Sequence, residues 1–153
     1  MEQPPKLTAE YVLQLIVKQI RKRKKARRIL FLYATWCDAC KMQMEVLEQL
    51  VQSCNCADLL EVRKIIVSTD PHQGLTDEGK VLYQKYRCPE GVPCIVALDS
   101  ETGRHVKTID ALMPKNIKKH LADIFEVTNP VIDPEGAEKT LHRGTYSDRA
   151  YKR

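Results

Sequence analysis

The sequence predicts an α/β fold: a central, mixed four-stranded sheet with helices on both faces, followed by an irregular C-terminal tail. Three observations point there. Residues 29–34 (Ile-Leu-Phe-Leu-Tyr-Ala) form an unbroken apolar run of strand length, the pattern of a strand covered on both faces. Stretches with helical periodicity alternate with such runs along most of the chain. The segment Trp36-Cys37-Asp38-Ala39-Cys40-Lys41 stands where the apolar run gives way to a helical pattern.

The first element is a helix over residues 8–25. Val12, Ile16 and Ile20 recur every fourth residue with Leu13 and Val17 alongside, and Thr8, Glu10 and Gln14 give it a polar start. The strand at 29–34 follows. A second helix over 38–52 places Cys40, Met44, Leu47 and Val51 on one face and Glu45, Glu48 and Gln49 away from it. Residues 61–68 read as a second strand, closed by Asp70-Pro71. Residues 75–86 read as a third helix with Leu75, Leu82 and Tyr86 inward. Gly91-Val92-Pro93 precedes two β runs, 94–98 and 105–110, joined through Asp-Ser-Glu-Thr-Gly as an antiparallel hairpin. Pro114 opens a last helix in which Ile117, Leu121, Ile124 and Phe125 share a face. Periodicity is lost from Glu126 onward, where Pro130, Pro134, Gly136 and Gly144 interrupt the chain. The expected organisation is therefore a single domain over 1–125 and a polar tail over 126–153. A crossover helix between the first two strands makes them a parallel pair, and the hairpin joins the same sheet.

Composition narrows the function classes. Hydrophobic residues make up 43% of the 153-residue chain and charged residues 29%, which excludes wholesale disorder. The apolar runs are too short to span a bilayer, and no glycine-rich phosphate loop is present. The N-terminus lacks the basic-then-apolar order of a secretory signal, so the expected location is cytoplasmic unless a leader was removed. The net charge of +5 is uneven. Lys18, Arg21, Lys22, Arg23, Lys24, Lys25, Arg27 and Arg28 form a basic run without an acidic residue, and taking those eight from +5 leaves −3 for the rest. Such a run reads first as a solvated helix end, where cations favour the helix dipole. It is also the one feature that would suit an acidic partner surface at 18–28. Nucleic acid is not expected there, because aromatics are not interleaved with the charges. Tyr146 and Tyr151, among the tail's basic residues, are too sparse to change that.

The cysteines carry the chemistry. Cys37, at the start of the second helix, meets free backbone N–H groups and the positive end of the dipole, both of which favour a thiolate. Cys40, one turn on, falls on the inward face within disulfide reach. An exposed attacking thiol followed by a buried resolving thiol is what disulfide exchange through a mixed disulfide requires. The competing use of the pair is half of a zinc site completed by Cys54 and Cys56. The intervening helix, at 1.5 Å per residue, would hold those two roughly 20 Å away, so no metal is expected. Cys54 and Cys56 themselves read as small buried or loop residues, with a disulfide or metal role left open.

The run Leu-Phe-Leu-Tyr-Ala-Thr-Trp-Cys-x-x-Cys-Lys resembles the active-site segment of the thioredoxin superfamily. Gly91-Val92-Pro93, at the start of a strand, resembles that family's cis-proline loop. The likeness spans roughly residues 8–125 in element order, while at the level of motifs it rests on these two segments and the hairpin. It implies a thioredoxin fold and a protein thiol:disulfide oxidoreductase that needs no cofactor. Cys37 would be the nucleophile and Cys40 the resolving thiol, with Trp36, Val92 and Pro93 forming the substrate-binding surface. Pro93 would be cis and packed beside Cys37, with the Val92 backbone pairing to an extended substrate segment. Its partners would be protein thiols and disulfides together with an upstream redox partner.

Two departures stand out. Asp38-Ala39 replaces the Gly-Pro usual in thioredoxins, and a carboxylate next to Cys37 opposes its thiolate, which leans the pair toward reduction. Phe31 occupies the position, six residues before the first cysteine, where many thioredoxins bury an aspartate. Cys94, following the proline, reads as a core residue, while Cys88 is a candidate third exchanging thiol because its loop would lie near Cys37. His72, His105, His120 and His142 share no spacing and read as surface residues, so a Cys–His protease dyad has no support. Met42 and Met44 read as helix packing. The reading from a different class is a redox-inert binding module that docks a partner through the basic helix.

Overall fold

A computed structural model describes residues 8–55 and 57–129. Its elements follow the expected order: α1 (Ala9–Arg23), β1 (Arg27–Ala34), α2 (Asp38–Cys54), β2 (Leu60–Ser68), α3 (Asp77–Lys85), β3 (Cys94–Asp99), β4 (His105–Ile109) and α4 (Ile117–Phe125), the last entered through a 3-10 turn at Pro114–Asn116. Thr8 caps α1 by accepting the Tyr11 N–H at 3.1 Å, and Thr76 caps α3 by accepting the Gly79 N–H at 3.0 Å. Lys24, Asn55 and Glu126 close α1, α2 and α4 in left-handed backbone.

The strands lie in the order β2-β1-β3-β4, with β1 and β2 parallel and the other two pairings antiparallel. Alternation along the two central strands divides the core. Ile29 and Phe31 of β1 and Ile95 and Ala97 of β3 join residues of α1, α2 and α4 in one cluster. Leu30, Leu32, Val96 and Leu98 join Tyr83 and Tyr86 on the α3 side in the other. Helices thus cover both faces of a mixed four-stranded sheet, and the unbroken apolar run at 29–34 is explained.

Register also sets which chain ends meet. Because β1 and β3 are antiparallel, with Leu32 opposite Cys94, the end of β1 lies beside the start of β3. Parallel pairing brings Ser68, at the end of β2, opposite Ala34. The segment containing Cys37 and the segment containing Pro93 are neighbours for that reason.

Several expectations need correction. The basic run is not one helix end: it is divided by the left-handed Lys24 between α1 and β1. Lys18 and residues 21–25 are exposed, whereas Arg27 is fully buried and Arg28 pairs with Glu61 at 3.2 Å. Arg27 enters the strand because Asp99 and Glu126, each 3.0 Å away, and the Ile124 carbonyl, 2.8 Å away, satisfy its guanidinium. The inward face of α2 is Cys40, Gln43, Val46, Leu47, Leu50 and Cys54, so Met44 and Val51 flank the core and Met42 is 68% exposed on the opposite side. His120 is buried rather than on the surface, its Nε2 accepting the Met113 N–H at 2.9 Å. Residues 130–153, including His142, Tyr146, Tyr151 and most of the expected tail, lie outside the described residues, as does Cys56. Of the residues assigned to that tail, Val127 is buried in the core.

Candidate active site

Cys37 is the residue on which α2 begins. Its Sγ serves as the helix cap, accepting the backbone N–H of Cys40 at 3.1 Å. An α-helix leaves its first four N–H groups without helical partners, and here a sulfur takes one of them. On its other side the Cys37 thiol faces the carbonyl oxygen of Val92, 3.9 Å away, across the cis Val92–Pro93 bond. Cys40 lies one helical turn on, facing the core. Neither thiol is in a disulfide.

The expected contrast between an exposed Cys37 and a buried Cys40 is not found: each is 1% exposed. Two layers account for it. Capping turns the Cys37 sulfur inward, toward its own helix, and the Val92–Pro93 loop, itself buried, closes over it. Trp36, half-buried, is held from below, its indole N–H donating to the Ser68 hydroxyl at 3.0 Å. All five residues named from the sequence are therefore brought together. Asp38 is the exception to the crowding, with its side chain 96% exposed and 4.0 Å from the ammonium of Lys41. Phe31 is fully buried in the opposite core cluster, its ring 5.7 Å from that of Tyr33.

Tyr83 is a site residue that the sequence did not single out. From α3 it reaches the loop, donating its phenol O–H to the Gly91 carbonyl at 2.9 Å. Burial, followed by the charges that Cys94, Cys88, Cys40 and Cys37 would carry, drives its acidity far down, so the phenol stays a donor. The period of α3 offered Leu82 and Tyr86 as inward positions, and Tyr83 stands beside both. Only the tertiary fold shows that its hydroxyl reaches the Gly91 carbonyl, in the cluster that holds the cysteines. Cys54 is disulfide-bonded at the far end of α2 and has no place in this site.

The sheet order, the cysteine pair at the β1–α2 junction and the cis-proline before β3 constitute a thioredoxin fold. No family model matches the chain, and no curated protein matches it. Among solved structures, chloroplastic thioredoxin z is similar at 25% identity over 81% of this chain and 96% of its own, with a TM-score of 0.45. Mitochondrial thioredoxin 3 of Saccharomyces cerevisiae is 21% identical over 72% of this chain and 89% of its own, with a TM-score of 0.44. A thioredoxin variant from Halobacterium salinarum is 25% identical over 70% and 81%, with a TM-score of 0.46. Among the described residues no helix is long and apolar enough to cross a membrane.

Proposed function

We propose that this chain is a thiol:disulfide oxidoreductase that reduces disulfides in protein substrates through Cys37 and Cys40. The observation that carries the reading is the setting of the Cys37 sulfur, between the Cys40 N–H at 3.1 Å and the Val92 carbonyl at 3.9 Å. The thiol proton has an acceptor in Val92. Once that proton leaves, the thiolate keeps the Cys40 N–H as its partner and has no attraction to the carbonyl, so ionisation frees the sulfur on the substrate side.

The reaction then needs no group from outside the two proteins. The Cys37 thiolate attacks one sulfur of a substrate disulfide, a mixed disulfide forms and the other substrate sulfur leaves as a thiolate. Cys40 gives up its proton and attacks the Cys37 sulfur, releasing the second substrate thiolate and leaving a Cys37–Cys40 disulfide. Two electrons pass to the substrate, and an upstream thiol reductant restores the pair. With Cys37 buried, docking requires the Val92–Pro93 loop to part from it, and the backbone of Val92 is then available to an extended substrate segment.

The test is reduction of insulin by dithiothreitol. The wild-type chain is expected to accelerate precipitation of the insulin B chain, and Cys37→Ser to abolish the acceleration. Cys40→Ser should accumulate a mixed disulfide that a reducing gel releases. Equal rates for wild type and Cys37→Ser would refute the assignment.

A further inference from the structure

Cys88 and Cys94 bracket the loop that covers Cys37. Cys94 is the first residue of β3, fully buried and opposite Leu32, whereas Cys88 follows α3, half-buried, its N–H bonded to the Tyr83 carbonyl at 2.9 Å. The two thiols are free, and the Cys88 side chain packs against the buried cluster that holds Cys94. Cys37 and Cys40 belong to that same cluster, as does Tyr83. Two thiols packed into one cluster at the two ends of a short loop meet the first requirement for a disulfide, whose formation is limited chiefly by how the Cβ atoms are placed.

We propose that Cys88 and Cys94 are a second dithiol that takes over the oxidation of the Cys37–Cys40 pair, so that these four cysteines, once reduced, deliver four electrons rather than two. This rests on the reading of Cys37 and Cys40 as the exchanging pair. The step balances within the chain. Cys88, as thiolate, attacks Cys37 of the Cys37–Cys40 disulfide; a Cys37–Cys88 bond forms and Cys40 leaves as a thiolate. Cys94 then attacks Cys88, and Cys37 leaves as a thiolate. The Cys37–Cys40 pair ends reduced and the Cys88–Cys94 pair oxidised, with the two protons lost by the second pair taken up by the first.

Exposure assigns the order. Cys88 is the accessible member and Cys94 the shielded one. Donation to Cys88 first, then burial and the charges of Cys88 and Asp110, hold the Cys94 thiol strongly protonated. When Cys88 is engaged in a mixed disulfide its negative charge is gone, so the restraint on Cys94 is eased at the step where Cys94 must attack.

Each pair falls within a single tryptic peptide, residues 29–41 and residues 88–104. The full chain is reduced, freed of reductant, mixed with excess insulin, acid-quenched, alkylated with N-ethylmaleimide and mapped by mass spectrometry. Both peptides are expected to lose two hydrogens and escape alkylation, with about two insulin disulfides reduced per chain. In Cys88→Ser that yield should fall to about one, and in Cys37→Ser peptide 88–104 should stay alkylated. Oxidation of 29–41 with 88–104 fully alkylated overturns the second dithiol and leaves the first pair standing. Oxidation of 88–104 by insulin at an undiminished rate in Cys37→Ser overturns the transfer between them. Both peptides fully alkylated in the wild type would overturn the exchange function itself, and the second dithiol with it.

Discussion

The carboxylate of Asp38 directly follows Cys37, yet its side chain is 96% exposed and pairs with Lys41 at 4.0 Å. Two unit charges about 4 Å apart in water interact by only about 1 kcal/mol, and a two-electron couple shifts by 30 mV for about 1.4 kcal/mol. Asp38→Asn should therefore raise the reduction potential of the Cys37–Cys40 pair, making it more oxidising, by no more than about 20 mV. Equilibration against glutathione buffers measures this, and a much larger rise would mean that the charge acts through a drier path than its exposure allows. Residue identities at the site were legible in the sequence because Trp36, Cys37, Cys40, Val92 and Pro93 lie in two short motifs. Their environments were not. The burial of Cys37 comes from a loop 55 residues away, and the hydroxyl of Tyr83 finds its acceptor at Gly91 only once α3 has packed. The burial of His120 is hidden for the same reason: its acceptor role depends on the Met113 N–H, presented by the turn before α4.

At the scale of an element, α3 meets the sheet at Gly79. A Cβ there would stand 2.8 Å from the Val67 carbonyl oxygen and 2.9 Å from the Val67 Cβ, contacts that only a shift of helix or strand relieves. Helix propensity alone would make Gly79→Ala stabilising by about 1 kcal/mol. Overpacking against backbone typically costs about 1–3 kcal/mol, so the net expectation is a loss of roughly 1 kcal/mol, read as a lower urea midpoint. Because α3 also carries Tyr83 to the Gly91 carbonyl, insulin reduction should change along with stability. A more stable Gly79→Ala with unaltered activity would contradict the close contact. Elements with a local signature were recovered within a few residues. The helices show a period, and β1 and β3 are apolar over 29–34 and 94–98 because both are central. The start of β1 at Arg27 is not legible in the sequence, since two arginines conceal a strand unless their partners are known.

Those partners tie the whole molecule together at the end of β1 remote from Cys37. The Arg27 guanidinium reaches Asp99, at the end of β3, and Glu126, just past α4, partners 72 and 99 residues away in sequence. Glu126 also accepts from Arg104 at 2.6 Å, and its backbone carbonyl accepts from Arg23. Arg27→Ala would orphan the buried Ile124 carbonyl, remove both ion pairs and leave a cavity. The two carboxylates retain water and other donors, which places the cost near the low end for broken buried pairs, about 3 kcal/mol. Acid should act on the same cluster. Hydrogen bonds from Thr102 chiefly, aided by Glu101 and the charge of Arg27, lower the pKa of Asp99, while Arg104 and then Arg27 do so for Glu126. Since both folded values lie below the unfolded ones, their contribution is present above the ordinary carboxylate range near pH 4. It is lost as pH falls through the depressed folded values. The urea midpoint of the wild type should thus drop between pH 5 and pH 3. Arg27→Ala should start lower at pH 7 but keep much of that slope, because Thr102 still donates to Asp99 and Arg104 to Glu126. At pH 7 and sub-denaturing temperature its insulin reduction should match the wild type, as the cluster and the cysteine pair lie at opposite ends of β1. A variant as stable as the wild type, or one that loses activity while still folded, would contradict this division between a supporting end and a reacting end of one strand.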